Sequence, residues 1–502
     1  MNLIKSRTDK NLIELLALGL FAIVMSFSDI CFPYRKAINF SDGSIYQYIG
    51  HLMLKGKMPY TDAFDHKGIL LYLLNALGCM INDRWGIWVI NLIFLYLILY
   101  FSYITYRLFL PGLPSVIMCI VMYSDLATSH WVWNTPDFFA VLFEMIPFYL
   151  IVRSMMNRIR VSRKELVIIG LSIAGGFWLK QTVVIPTLLI MAMLCMNEIK
   201  NKNVKMVVSY ISIILISFLT LSCVIILYLN LMHALQAMIN DYFLYNLLYA
   251  ANDTKEKAYE VILTHLNNSS FLITMIMGAI CIVIRILEGN TGNRIKPDKI
   301  AVYGYIILLT VFIWLAFFGR PYRQYYLMCY PVLVILSGDL LKNILLAQKN
   351  SDKDKDRIRY LILHYGEIAL SLLAIIAVIF NSIEVYYQVK SDSITPLSRQ
   401  ILSDSINDIC TADEKIAVAN NLDTGLYLAT GHESATTYPY IQIMLFNNGD
   451  FIKDYNRQLM KAQPRVIVCM TWANDEKFLY DETLKEYYLY DQIGEYVIYA
   501  HK

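Results

Sequence analysis

The sequence predicts a mainly α-helical, polytopic membrane protein: a bundle of about eleven spans followed by an extracytoplasmic α/β domain. Three observations predict it. The 502 residues are 57% hydrophobic and only 17% charged, with a mean hydropathy of +0.48, whereas soluble domains are roughly half apolar and a quarter charged. Apolar runs close to the ~20 residues that cross a bilayer recur through most of the chain. Lys and Arg gather in alternate loops. A soluble enzyme, a disordered chain and a nucleic-acid-binding module all fit this composition poorly. A net charge of +3, from 43 Lys+Arg and 40 Asp+Glu, gives no polyanion-binding field. Nine cysteines are scattered singly without a CxxC, which indicates neither a zinc site nor a disulfide framework.

Taken in chain order, candidate spans fall at roughly 11–28, 86–106, 113–128, 136–152, 206–229, 269–286, 300–318, 325–341 and 361–381, and two shorter ones share 165–197. The first follows Lys5, Arg7 and Lys10, lacks a small-residue cleavage site and runs without a polar break into CFPY, so it reads as an uncleaved span. The run 68–81 is about 14 residues long, the length of a re-entrant or interfacial helix. If it does not cross, Arg107, the cluster from Arg153 to Lys164, Lys200 to Lys205, Arg294 to Lys299 and Lys342 to Arg359 all share the side of the N-terminus. That is the positive-inside pattern, and it puts the N-terminus in the cytoplasm and the C-terminus outside. The opposite side receives loop 29–85, the tips at 129–135, Lys180–Gln181 and Arg320–Gln324, loop 230–268, and the tail.

The membrane module is expected over 1–382 and the soluble domain over 383–502. In the tail, apolar runs at 415–421 and 465–470 alternate with amphipathic helical stretches near 396–410 and 448–462, and the end reads as a strand pair turning at Gln492 to Gly494. No internal repeat or low-complexity tract is present.

The first outer loop carries the densest set of polar groups. Asp42 opens a segment in which Tyr46, Ile49 and Met53 share a helical face, and Gly56 with Pro59 ends it. Asp42 reads equally as a helix N-cap and as a carboxylate fixed beside the membrane. Asp62, Asp65, His66 and Lys67 follow within six positions, just before the interfacial run. Singly they are solvated loop residues or a snorkelling lysine; together they suit a binding site. Lys180 stands between two apolar runs, so its charge must face water or an anion, which implies a cavity at the outer face.

The pattern D-x-x-x-Y followed by L-x-x-G-x-x-P-Y-x-D-x-F-D-H-K, from Asp42 and Tyr46 to Lys67, resembles the first external loop of GT-C membrane glycosyltransferases. The resemblance is to the bacterial and protein-O-mannosylating branch that includes the lipid A aminoarabinose transferase. NTPD (Asn134 to Asp137), LKQ (Leu179 to Gln181) and GRPYRQYYLMCYP (Gly319 to Pro331) support it, so that it touches roughly residues 10 to 345. The chain departs from the pattern at Gly68, where many relatives have Pro, at Gln324, where they have His, and at Asp42-Gly43, where several have Asp-Glu.

The resemblance implies a multi-pass enzyme of the bacterial plasma (inner) membrane. It would move a sugar from a polyprenyl-monophosphate donor to a hydroxyl of a glycan, lipid or protein acceptor on the outer face, with inversion, and would need neither a cofactor nor a metal ion. Asp42 would be the general base, with Asp62, Asp65 or Asp137 as the second carboxylate. Lys67, Arg320, Arg323 and Lys180 would face the donor phosphate, the arginines through their planar fork. Tyr46, His66, Asn134, Gln181, Tyr322, Gln324 and Tyr325 would line the substrates. Two alternatives stand beside this: a flippase or transporter for lipid-linked sugars, and an oligosaccharide polymerase or ligase using a lipid diphosphate. The first predicts repeated halves with broken helices at mid-membrane, the second release of a lipid diphosphate.

Overall fold

The computed structural model describes residues 2–34, 42–127, 132–252, 299–318, 322–350, 398–419, 425–441, 449–471 and 478–502, with single positions at 383 and 387. The membrane part is built from α1 (Asn2–Ser26), α2 (Asp42–Leu54), α3 (Ile69–Ile81), α4 (Gly86–Tyr106), α5 (Gly112–Ala127), α6 (Pro136–Asn157) and α7 (Arg163–Phe177). A 3-10 turn (Gln181–Val184) leads into α8 (Ile185–Lys200) and α9 (Val204–Leu231). The short α10 (Leu235–Met238), a π-helical segment (Ile239–Leu244) and α11 (Tyr245–Asn252) follow, then α12 (Lys299–Phe318) and α13 (Tyr330–Asn350).

Among the described residues six helices are long and apolar enough to cross a membrane: Gly86–Tyr106, Pro136–Asn157, Gln181–Lys200, Val204–Leu231, Ile300–Phe317 and Gln324–Lys342. The protein is multi-pass. The spans expected at 269–286 and 361–381 lie outside the described residues. Helix α6 and the stretch Gln324–Lys342 are the most buried of these six. Helix α9 instead turns Val208, Ile211, Leu215, Ile216, Leu219, Val224 and Leu227 outward, a face suited to lipid. One expected boundary moves. The run at 325–341 starts as a 3-10 turn (Arg323–Cys329) and becomes α-helical at Tyr330. Pro331 has no N–H to give to an earlier turn, so the α-helix begins beside it.

The helices expected around 43–55 and 68–81 form as α2 and α3. They approach closely because Gly50 lies on the backbone of α3; a Cβ there would come within 2.6 Å of the Ala76 nitrogen. The loops at this end of the bundle are tied together. Trp133 Nε1 donates to Ser28 Oγ (3.0 Å), and the Asn75 and Asn134 side-chain amides bond reciprocally (3.0 and 2.8 Å). At the other end, Ser162 and Glu165 form a capping box on α7, and Arg153 pairs with Glu165.

The C-terminal unit comprises α14 (Ser398–Asn407), β1 (Ile416–Ala419), α15 (Gly425–Thr430), α16 (Gly449–Ala462), β2 (Val466–Met470), α17 (Asp481–Leu484), β3 (Tyr487–Ile493) and β4 (Tyr496–His501). Its sheet has the order β1-β2-β4-β3, with β1 and β2 parallel and the other pairs antiparallel. Both parallel strands are apolar and buried, as strands covered on two faces must be. The terminal hairpin turns at Gly494–Glu495, at the end of the expected turn 492–494, because Gln492 and Ile493 stay in the ladder opposite Val497 and Tyr496. Gly494 takes the positive φ of +61° that the turn requires.

Candidate active site

The two halves meet over the first loop. Phe64 inserts into the apolar core of the C-terminal unit beside Ile441, Phe451 and Tyr455, and its N–H donates to Thr437 O (2.7 Å). Lys55 and Lys57 both pair with Glu433, the Ser434 N–H donates to the Tyr48 hydroxyl (2.7 Å), and Tyr48 stacks on Tyr427 at 4.8 Å. Segment 432–441 is thus a strap between β1 and the motif that follows Tyr60.

Beneath the strap lies Asp65, 1% exposed. A buried carboxylate without partners costs several kcal/mol, on the order of 3–5, and this one is well supplied. The Tyr440 hydroxyl donates to Oδ1 (2.7 Å), the Tyr72 hydroxyl to Oδ2 (2.8 Å) and the His66 N–H to Oδ1 (2.7 Å). Burial alone would raise this carboxyl, but its bond with the His66 ring, the nearby Lys67 and the Tyr440 hydroxyl outweigh it and hold it at about 2. The His66 ring presents Nδ1 to Asp65 at 3.3 Å and Nε2 to the Lys67 ammonium. Burial and Lys67 push this imidazole down to about 4, so the ring is neutral near pH 7. An ammonium only donates, so Nε2 carries the lone pair and Nδ1 the proton. Burial lowers the Lys67 ammonium from its ordinary value. The backbone is locked as well: the Tyr60 hydroxyl donates to Lys67 O (2.7 Å) and Asn246 Nδ2 to His66 O (2.8 Å).

A second charged pair comes from α6. Thr135 caps this helix, Pro136 occupies its first turn, and Asp137 follows, buried. Lys180 donates to both Asp137 oxygens (2.7 and 3.0 Å), and its Nζ lies 3.6 Å from the centroid of the Tyr325 ring. The anion that Lys180 needed is therefore supplied by the protein.

Asp42, the first residue of α2, is partly exposed between these pairs. Burial raises its carboxyl above the ordinary value; Lys67 and Lys180 oppose the rise, while Asp65 and Asp137 add to it. Among the described residues no donor is bonded to the Asp42 carboxylate, which leaves its lone pairs available to an incoming hydroxyl. Asn134, in the left-handed region at φ 54°, donates to Gly43 O (3.0 Å) and so fixes the start of α2. The Tyr46 ring is buried one turn into α2, 6.4 Å from that of Tyr72.

Other candidates serve elsewhere. Asp62 is exposed and accepts from the Met58 N–H (2.7 Å), closing a turn. Gln181 donates to Tyr242 O (2.9 Å), joining α7 and the 3-10 turn to the π-helical segment. Tyr322 is exposed, its ring 5.8 Å from that of Tyr325, and Gln324 is partly buried in the 3-10 turn. Arg320 lies outside the described residues, as does the side chain of Arg323. Sequence reasoning missed Tyr60, Tyr72, Asp241, Asn246 and Tyr440. Only Tyr60 sat inside a recognised motif.

The sequence profile of the family described as "Putative competence-induced protein Ccs4 N-terminal domain" matches residues 5–390. The chain belongs to this family. The matched stretch spans the membrane part and stops short of α14. No curated protein matches the sequence. Among solved structures, ArnT from Cupriavidus metallidurans bound to undecaprenyl phosphate is similar at a TM-score of 0.65, with 11% identity over 96% of this chain and 97% of that one. Its apo state gives 0.63 with the same identity and coverage. The apo oligosaccharyltransferase of Archaeoglobus fulgidus gives 0.52, with 13% identity over 97% of this chain and 74% of that one. The family member thus has the GT-C fold, a helical membrane bundle carrying a C-terminal α/β unit.

Proposed function

We propose that this chain is an integral membrane glycosyltransferase that transfers a sugar from a polyprenyl monophosphate to a hydroxyl acceptor at the outer face, with inversion. The observation that carries the reading is the Asp42 carboxylate: desolvated, bonded to no donor among the described residues, fixed at a helix start, and flanked by Lys67 and by the Asp137–Lys180 pair. The likeness in fold to ArnT bound to undecaprenyl phosphate supports the class of donor.

In this reading Asp42 takes the acceptor O–H proton as the acceptor oxygen bonds to the anomeric carbon. The bond from that carbon to the phosphate oxygen breaks, and the electron pair leaves with the phosphate. Lys67, helped by Arg320 and Arg323, neutralises the charge that develops there. Lys180, already paired, orients Asp137, and the Tyr325 ring lies against its ammonium. Asp65 and His66 stand behind Lys67, and Asn134 holds α2. The membrane module faces the cytoplasm with its N-terminus, and residues 383–502 form a domain outside.

Asp42→Asn tests the base. It keeps the size and the helix-start hydrogen-bonding ability of Asp, so a purely structural Asp42 loses little. A general base loses about a hundredfold or more in transfer rate while donor binding is retained. Near-normal transfer at saturating donor and acceptor would remove Asp42 from this role.

A further inference from the structure

The C-terminal unit does more than sit on the bundle. Its strap delivers one hydroxyl, that of the fully buried Tyr440, onto the Asp65 carboxylate at 2.7 Å. From Asp65 a continuous polar chain runs through His66 Nδ1 and Nε2 to the Lys67 ammonium. The members differ in rank. Asp65 is 1% and His66 6% exposed, so neither meets a substrate, whereas Lys67 is only partly buried and ends the chain on the side where Asp42 and Asp137 act on it.

We propose that Tyr440 is a positioning residue, contributed by the C-terminal unit, that acts through Asp65 and His66 to aim the Lys67 ammonium at the donor phosphate. The inference rests on the reading of Lys67 as a phosphate ligand. The physical argument is geometric. A lysine has four rotatable side-chain bonds, and only an acceptor at its tip fixes the ammonium. His66 Nε2 is that acceptor, and it is held in the accepting tautomer because the Asp65 carboxylate accepts the hydrogen bond of Nδ1–H. Asp65 in turn keeps its orientation through Tyr72 on one oxygen and Tyr440 on the other. Supporting residues one step behind a ligand commonly change affinity 10- to 100-fold, as is known at metal sites.

Docking of the strap does not depend on this hydroxyl. The Phe64–Thr437 and Ser434–Tyr48 bonds, the Glu433 ion pairs and the insertion of Phe64 hold it independently. Tyr440→Phe therefore leaves the two halves joined and removes only the donor.

The test is a double-mutant cycle on the full-length protein in detergent, read as affinity for undecaprenyl phosphate. Lys67→Met is expected to weaken binding more than tenfold. Tyr440→Phe is expected to weaken it about tenfold in the otherwise unchanged protein and hardly at all in the Lys67→Met background, because its effect travels through that ammonium. Asp65→Asn, the same size as the parent residue, should show the same non-additivity, which covers the case in which Tyr440→Phe folds poorly. If Lys67→Met weakens binding while Tyr440→Phe is silent, or costs as much without Lys67 as with it, the positioning role is overturned and the phosphate reading survives. If Lys67→Met binds like the unaltered protein, both fall.

Discussion

Asp241 is an acid that no sequence pattern singled out. It lies in the π-helical segment whose neighbours bond Gln181 and the His66 carbonyl, and burial together with the Asp65 charge pushes its carboxyl up to about 7. The unfolded chain releases this proton near 3.8. Between those values the folded protein keeps a proton that the unfolded chain has lost, so stability falls as pH rises through the interval. Asp241→Asn, which cannot ionise, should remove that slope: a melting temperature about 1–3 °C higher near pH 8 and unchanged near pH 4. A variant that melts like the parent at both pH values would show that Asp241 is solvated. At this scale the sequence was most informative where residue type and position together left few roles. Asp42, Asp65, His66, Lys67, Asp137 and Lys180 all come to one end of the bundle, as their shared side in the expected loop pattern required. Tyr440 was not legible, because its partner is 375 positions away and a tyrosine after a proline carries no mark of that distance.

Among the elements, the junction of α3 with the end of α7 explains one departure from the relatives' pattern. Gly68 has φ −75°, which proline would adopt freely, yet its N–H donates to Leu179 O (3.0 Å) and a Cβ would lie 1.9 Å from Trp178 O. Here a side chain has no room and the donor is in use. Gly68→Pro should therefore cost about 3 kcal/mol, from overpacking and from the stranded carbonyl, and lower the detergent melting temperature. Unchanged melting would mean that this junction yields. The helices α2 and α3 were readable because an apolar run near fourteen residues is too short to cross, and because Gly56 and Pro59 stop the first of them. The π-helical segment and the 3-10 start before α13 were not. Both are set by how a turn packs against its neighbours, which apolar periodicity does not encode.

Across the whole molecule, the division into apolar spans and an alternating α/β tail followed from composition alone. The way the tail clamps the first loop did not, since it depends on Phe64 entering a core made almost entirely of residues beyond 416. A site shared in this way brings Asp42, Lys67, the Asp137–Lys180 pair and the strap to one end of the bundle. In the reading proposed above, such a one-ended cluster suits an enzyme working on a lipid-linked sugar at the membrane surface, whereas a carrier would line mid-membrane with its polar groups. The most direct measurement is mass spectrometry of lipid-linked sugars and surface glycans in cells with the gene, without it, and with only the Asp42→Asn form. The account predicts that a polyprenyl-monophosphate sugar accumulates and a surface glycan or glycosylated acceptor is truncated in both defective strains, and that the unaltered gene reverses both. Accumulation of a lipid diphosphate oligosaccharide, or unchanged lipids and glycans in all three strains, would contradict it.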